Sequence, residues 1–243
     1  MTQFAMFTEQ FRKQDICLFS DFIGDTAPFG VVSAATTSLS SATFSNGNTD
    51  STQANQPLGS MTMTLTASAN AVAVIHPAIG VYPAAAIPAG GAVNRDFRVG
   101  RGEIDFEARV RTAANISTVI CTVGIGLPTD TAAIAADFVG FSAFGNATNW
   151  TAALVIGSTT VRSVVTNVPK DKYAHFRVFL DADANRAKLY ANGTLVATFE
   201  GQLPTTTGLL PHIEIRDRTQ AGSTTAGQSI EADYMLVKLK ANR

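Results

Sequence analysis

KYAHFRVFLDADANRAKLYANGTLVATFEG, residues 172–201, decides the fold. Tyr173 to Leu180 alternates apolar and polar side chains, the period of a half-buried strand. Asp181 to Arg186 is a polar turn, and Ala187 to Tyr190 is a second alternating run. Asn192-Gly193 then leads into a third, Leu195 to Phe199. Asn-Gly between two such runs is a hairpin signal, because a type I′ turn needs positive φ at both central residues. Three strands joined by short turns predict antiparallel β-structure built from meanders.

The rest of the chain agrees. Strands are predicted at Asp15–Phe22, Gly30–Ser33, Ala42–Phe44, Ser60–Ala67 and Ala71–Ile75. More follow at Phe97–Thr112, Ile116–Gly126, Phe138–Ala143, Asn149–Ile156 and Val161–Thr166. After the triple strand come Pro211–Arg216 and a closing strand, Ile230–Lys240. Helical turns are expected only near Thr8–Lys13 and Thr131–Ala136, and residues 79–93 read as a loop rich in Ala, Pro and Gly. Many short strands with turn signals between them predict a sandwich or jelly roll. No linker or composition break divides the 243 residues, a length that one all-β domain can reach.

Composition narrows the function. Charged residues make up 15% of the chain, below the roughly 25% of ordinary globular proteins. Ala, Thr, Ser, Gly and Val take their place, which favours a smooth surface in permanent contact with other protein surfaces. A net charge of −1 offers no electrostatic case for nucleic acid or an anionic membrane. No run reaches the ~18 apolar residues of a membrane span. The first fourteen residues carry no apolar stretch of the signal-peptide kind, so synthesis in a cytoplasm is expected. The two cysteines, Cys17 and Cys121, are then expected to stay reduced.

The order of several segments carries a resemblance. GEIDFEARVRT (102–112), DFVGFSAFGNATNWTAAL (137–154), the triple strand and SIEADYMLVKLK (229–240) follow one another as they do in one family, with PLGSMTMTLTA (57–67) before them. The chain resembles the concanavalin A-like (laminin G-like) jelly-roll proteins of tailed-phage and prophage structural modules. The resemblance implies an all-β sandwich over residues 15–243 with an N-terminal arm, 1–14. It also implies a non-enzymatic virion component made in the bacterial host cytoplasm: a capsid decoration, cement or head-fibre protein. The expected partners are the major capsid protein or other virion proteins, and further copies of the chain. The alternative within the same fold is a tail-associated module that binds a host glycan. No cofactor and no metal is expected.

One motif points to a different chemistry. Glu103-Ile-Asp105-Phe-Glu107 matches the E-x-D-x-E pattern of laminarinase/lichenase-type glycoside hydrolases, which the fold resembles. On a strand these three carboxylates share a face. The resemblance would make Glu103 the nucleophile, Glu107 the acid/base and Asp105 the residue between them. Against this, the polar face continues through Arg109 and Arg111 while Ile104, Phe106, Ala108 and Val110 alternate with it. The strand thus reads as polar outside and apolar inside. A sugar cleft also needs aromatic platforms, and the chain has a single tryptophan, Trp150, expected in the core.

Other site-like features read as plain structure. Asp181-Ala-Asp183-Ala-Asn185 resembles the start of a calcium loop, but Arg186 stands where such a loop needs glycine. It is expected to be a hairpin turn with Asx-type hydrogen bonds. His76, His175 and His212 have no ligand spacing to one another. Phe4, Phe7 and Phe11 fall on one face of a short helix, and such a face must pack on its own domain or on a partner.

Overall fold

The computed structural model describes residues 16–20, 29–34, 42–46, 60–65, 72–77, 97–98, 102–126, 137–145, 147–157, 159–181, 185–203, 208–217 and 227–241. Among the described residues every regular element is a strand. In chain order these are β1 (Ile16–Ser20), β2 (Phe29–Ala34), β3 (Ala42–Asn46), β4 (Met61–Leu65), β5 (Val72–Pro77) and β6 (Phe97–Arg98). They continue as β7 (Gly102–Thr112), β8 (Val119–Gly126), β9 (Phe138–Phe144), β10 (Asn149–Ile156) and β11 (Thr159–Pro169). The last five are β12 (Ala174–Asp181), β13 (Arg186–Ala191), β14 (Thr194–Glu200), β15 (Gly208–Asp217) and β16 (Ser229–Ala241).

They form two antiparallel sheets. Sheet A runs β14-β13-β12-β7-β16-β4-β3, and sheet B runs β11-β10-β9-β8-β15-β5-β2. β16 carries β7 on one edge, while its other edge is shared by β4 at Ser229–Ala232 and β1 at Met235–Leu239. β15 is shared in the same way by β5 and β6.

The opening triple strand is β12-β13-β14, and Asn192 and Gly193 have φ of 49° and 79°, as the hairpin turn requires. The expected strand Phe97–Thr112 is instead two elements, since β6 pairs with β15 in sheet B and β7 lies in sheet A. The sequence marks the change, because the apolar phase shifts from Phe97 and Val99 to Ile104 and Phe106 across Gly100-Arg101-Gly102, a break that a single strand does not make. β8 begins at Val119 rather than at Ile116. Before it, Ser117 N–H donates to Asn115 Oδ1 at 3.1 Å and Val119 N–H donates to Ile116 O at 3.2 Å, which closes a turn. The arm 1–14, the two expected helical turns and the loop 79–93 lie outside the described residues.

The core lies between the sheets because each strand aims alternate side chains there. β7 contributes Ile104, Phe106, Ala108 and Val110, and β12 contributes Phe176, Val178 and Leu180. Sheet B answers with Cys121, Val123, Phe141, Trp150 and Ile213. Trp150 is fully buried, with its ring edge-on to Phe176 at 5.0 Å, and Phe141 stacks on Phe176 at 4.4 Å. Each such side chain removed from water contributes ~1.5–3 kcal/mol. Lys170 locks one end of the sandwich. Its backbone O accepts from Thr112 N–H at 2.9 Å, and its buried Nζ donates to Gly145 O at 3.0 Å.

Candidate functional site

The two sheets turn very different faces outward. On sheet A, β7 presents Glu103, Asp105, Glu107, Arg109 and Arg111, all half-buried. Arg177 of β12 holds Asp105 with a two-pronged hydrogen bond, Nε to Oδ1 at 2.7 Å and Nη2 to Oδ2 at 2.8 Å. That bond raises the Arg177 pKa against the opposing effect of burial. Glu107 faces three cationic or basic groups: His175 Nε2 at 3.2 Å, Arg177 Nε at 3.6 Å and Lys238 Nζ at 4.0 Å. Arg109 reaches Asp233 at 2.5 Å, and Arg111 reaches Glu231 at 2.6 Å. The Tyr173 ring lies 4.6 Å and 4.7 Å from these two guanidinium groups. Burial would push Glu231 upward, but hydrogen bonding, including that from Arg111, outweighs it and holds the carboxyl below its usual range. Burial, then the nearby Glu107 charge, pushes Tyr234 up to about 12.

This is where the E-x-D-x-E residues sit. The register sets Asp105 opposite Phe179 and Glu107 opposite Arg177, so a neighbouring strand supplies the counter-charges. A glycosidase acid calls for an apolar setting that keeps its proton, and its nucleophile must reach the sugar carbon. Asp105 and Glu107 instead serve as ion-pair partners on an outer sheet face.

Sheet B holds a feature that the sequence reading passed over. Along β15, Ile213 and Ile215 point into the core, so His212, Glu214 and Arg216 point to the outer face. All three are nevertheless buried, Glu214 at 0% exposure. Arg216 Nη2 lies against Glu214 Oε1, and His212 Nε2 is 3.6 Å from Glu214 Oε2 and 3.4 Å from Thr122 Oγ1. The register that sets Ile213 opposite Ile75 carries buried His76 to the place opposite His212. Burial pushes the Glu214 carboxyl up to about 7, against the pull of Arg216. The signal was present in PHIEIRD (211–217) as ionisable residues at alternate positions. Alternation shows that these residues share a face, but their burial appears only in the folded chain.

Beyond this row the outer face of sheet B loses its charge. Across β8, β9 and β10 it presents Thr122, Gly124, Gly140, Ser142, Thr151 and Ala153, side by side by register. Gly124 and Gly140 are direct partners, and a Cβ on Gly124 would come within 2.5 Å of Val139 O and 2.8 Å of the Phe138 ring. The Phe138 ring therefore lies over a glycine floor, 5.9 Å from the His212 ring. At the edge is β11, exposed on both faces from Thr159 to Val165. Val164 is 42% and Val165 73% exposed, and Leu195 on β14 is also exposed.

The other sequence candidates fall where plain structure puts them. Asn185 has φ of 45°, and its side-chain oxygen accepts from Leu203 N–H at 3.1 Å. Arg186 pairs with Asp181 at 2.9 Å. Residues 182–184 lie outside the described residues. Cys17 is exposed on β1 and Cys121 is buried in β8. Among the described residues no three His, Cys, Asp or Glu side chains come together as a metal site.

No family model and no curated protein matches the chain. Solved structures do match in fold. A protein of unknown function from Shewanella oneidensis MR-1 aligns over 100% of this chain and 97% of its own, with a TM-score of 0.64 and 14% identity. Peanut lectin aligns over 95% and 99%, with a TM-score of 0.57 and 10% identity. The Bacillus licheniformis β-glucanase aligns over 93% and 98%, with a TM-score of 0.52 and 16% identity. The fold is a concanavalin A-like jelly roll. At these identities the likeness carries the fold alone. That fold serves lectins and glycoside hydrolases alike, so function must be argued from the faces.

Proposed function

We propose that the protein is a non-enzymatic structural component of a phage virion, a capsid decoration or cement protein that packs on the major capsid protein. The observation that carries this reading is β11, an edge strand exposed on both faces from Thr159 to Val165, a stretch of Thr, Val and Ser with one charge, Arg162. Exposed apolar edge strands are usually blunted by charge, proline or a cover. β11 has only Arg162 and, at its far end, Pro169 to set against its exposed Val161, Val164 and Val165, and such an edge is suited to lasting contact with another protein. The order of sequence segments shared with phage jelly rolls supplies the virion context. The test is binding of the purified protein to expanded capsids, with heat and chelator resistance as readout. Binding and a raised disruption temperature are expected. Absence of binding to capsids of the encoding phage overturns the reading.

A second reading is glycan binding by a tail-associated module, favoured by the fold shared with peanut lectin and with the carbohydrate recognition domain of Emp46p, matched at a TM-score of 0.51. A glycan array separates it: specific retention of one glycan class with no capsid binding would put this reading first. The glucanase reading is tested by assaying β-glucan. No release of reducing sugar is expected, and release that disappears with Glu103→Gln would replace both readings.

A further inference from the structure

We infer that a second copy of this chain occupies the edge of β11 that no described strand pairs, lying antiparallel to its own β11 about a two-fold axis. The inference rests on reading this edge as an assembly surface and names its first partner.

Three observations carry it. First, two register irregularities, between Leu154 and Val155 and between Asn149 and Thr151, bracket one regular stretch of β11, Arg162–Val165. Regular pairing with another strand is therefore centred on that stretch, since bulges disrupt a ladder. Second, the backbone complement of an antiparallel edge is another antiparallel edge. A two-fold contact offers each copy the same groups and closes the assembly, whereas a head-to-tail contact leaves an edge open. A two-fold perpendicular to the sheet keeps each residue on its face, so the axis passes through a residue, either Ser163 or Val164. Third, the charges fit self-pairing. Arg162 is the one ionisable residue of β11. An axis at Ser163 sets it opposite Val164 of the other copy, and an axis at Val164 sets it opposite Thr166. Neither register opposes two arginines, and each lays the exposed valines against the other copy. A strongly charged partner would find a single countercharge here, while a neutral Val/Thr edge is complemented by its like.

The experiment uses the full chain with Cys17→Ser, which removes the exposed thiol. Light scattering after size exclusion should give a dimer at micromolar concentration. Ser163→Cys or Val164→Cys, whichever lies on the axis, should then form an intermolecular disulfide under mild oxidant. Val164→Arg places arginine opposite arginine in either register, opposite itself or opposite Arg162, and should weaken the dimer about tenfold or more. A monomer at all concentrations overturns the inference. So does a dimer that neither cysteine crosslinks and that Val164→Arg leaves unchanged. The outcomes also separate this inference from the function proposed above. A monomer whose capsid binding is lost with Val164→Arg leaves the assembly reading standing without the second copy. A crosslinked dimer that never binds capsids leaves the second copy standing and removes the virion role.

Discussion

The outer face of sheet A and the outer face of sheet B handle polarity in opposite ways. Sheet A spreads its charges over half-buried positions and cancels them across strands: Asp105 with Arg177, Arg109 with Asp233, Arg111 with Glu231. Each pair is partly solvated, so each contributes only a few tenths to about 1 kcal/mol. Sheet B gathers His212, Glu214 and Arg216 into one buried row on β15, with His76 of β5 beside it, and leaves β8, β9 and β10 without a charged side chain. A buried pair is worth little when formed and costs much when broken. The same residue types therefore carry different weight on the two faces. The E-x-D-x-E motif falls on the tolerant face, and the unremarked H-x-E-x-R falls on the intolerant one.

The largest expected effect comes from breaking the buried row. Arg216→Met should cost about 3–5 kcal/mol above pH 7, where it strands the ionised Glu214 carboxyl without its counter-ion, and less at lower pH, where that carboxyl holds a proton. Urea unfolding reads the change, and a loss below 1 kcal/mol would mean that the row is not buried as described. Next is the glycine floor: Gly140→Val should cost about 1–3 kcal/mol or more, since a Cβ there would meet Val123 O at 2.5 Å.

The pH response of Glu214 is of a similar size. Its carboxyl holds a proton up to about pH 7 in the folded protein, against an ordinary value of 4.5. Between these values the folded state binds more protons than the unfolded state, so its contribution to stability falls as pH rises through that window and is flat above it. Glu214→Gln should remove this decline from a stability profile between pH 4.5 and 7. An unchanged profile would assign the titration to another group. The smallest effect belongs to sheet A, where Asp105→Ala should lose about 1 kcal/mol or less despite its two-pronged bond. A loss as large as that of Arg216→Met would erase the contrast between the faces.

Much of the fold was legible in the sequence because strands advertise themselves by alternation and turns by Asn-Gly. The triple strand and the polar-out reading of β7 follow from local pattern alone, and the core place of Trp150 from the tendency of a lone strand tryptophan in a sandwich to be buried. The break between β6 and β7 was present as a phase shift in the alternation across Gly100 and Gly102, but which sheet each piece joins depends on its pairing partner. The buried row was not legible either. Local alternation shows that His212, Glu214 and Arg216 share a face, but not that the face is covered.

The sequence by itself determined the strand class, the meander at residues 172–201 and the two-faced character of each strand, since these rest on nearest neighbours along the chain. Only the tertiary structure decided which charges meet a partner in solvent and which are buried, because burial depends on strands distant in sequence. By the same reasoning it placed Asp105 and Glu107 among cross-strand cations on sheet A, and left Val164 and Val165 exposed on the outermost described strand of sheet B.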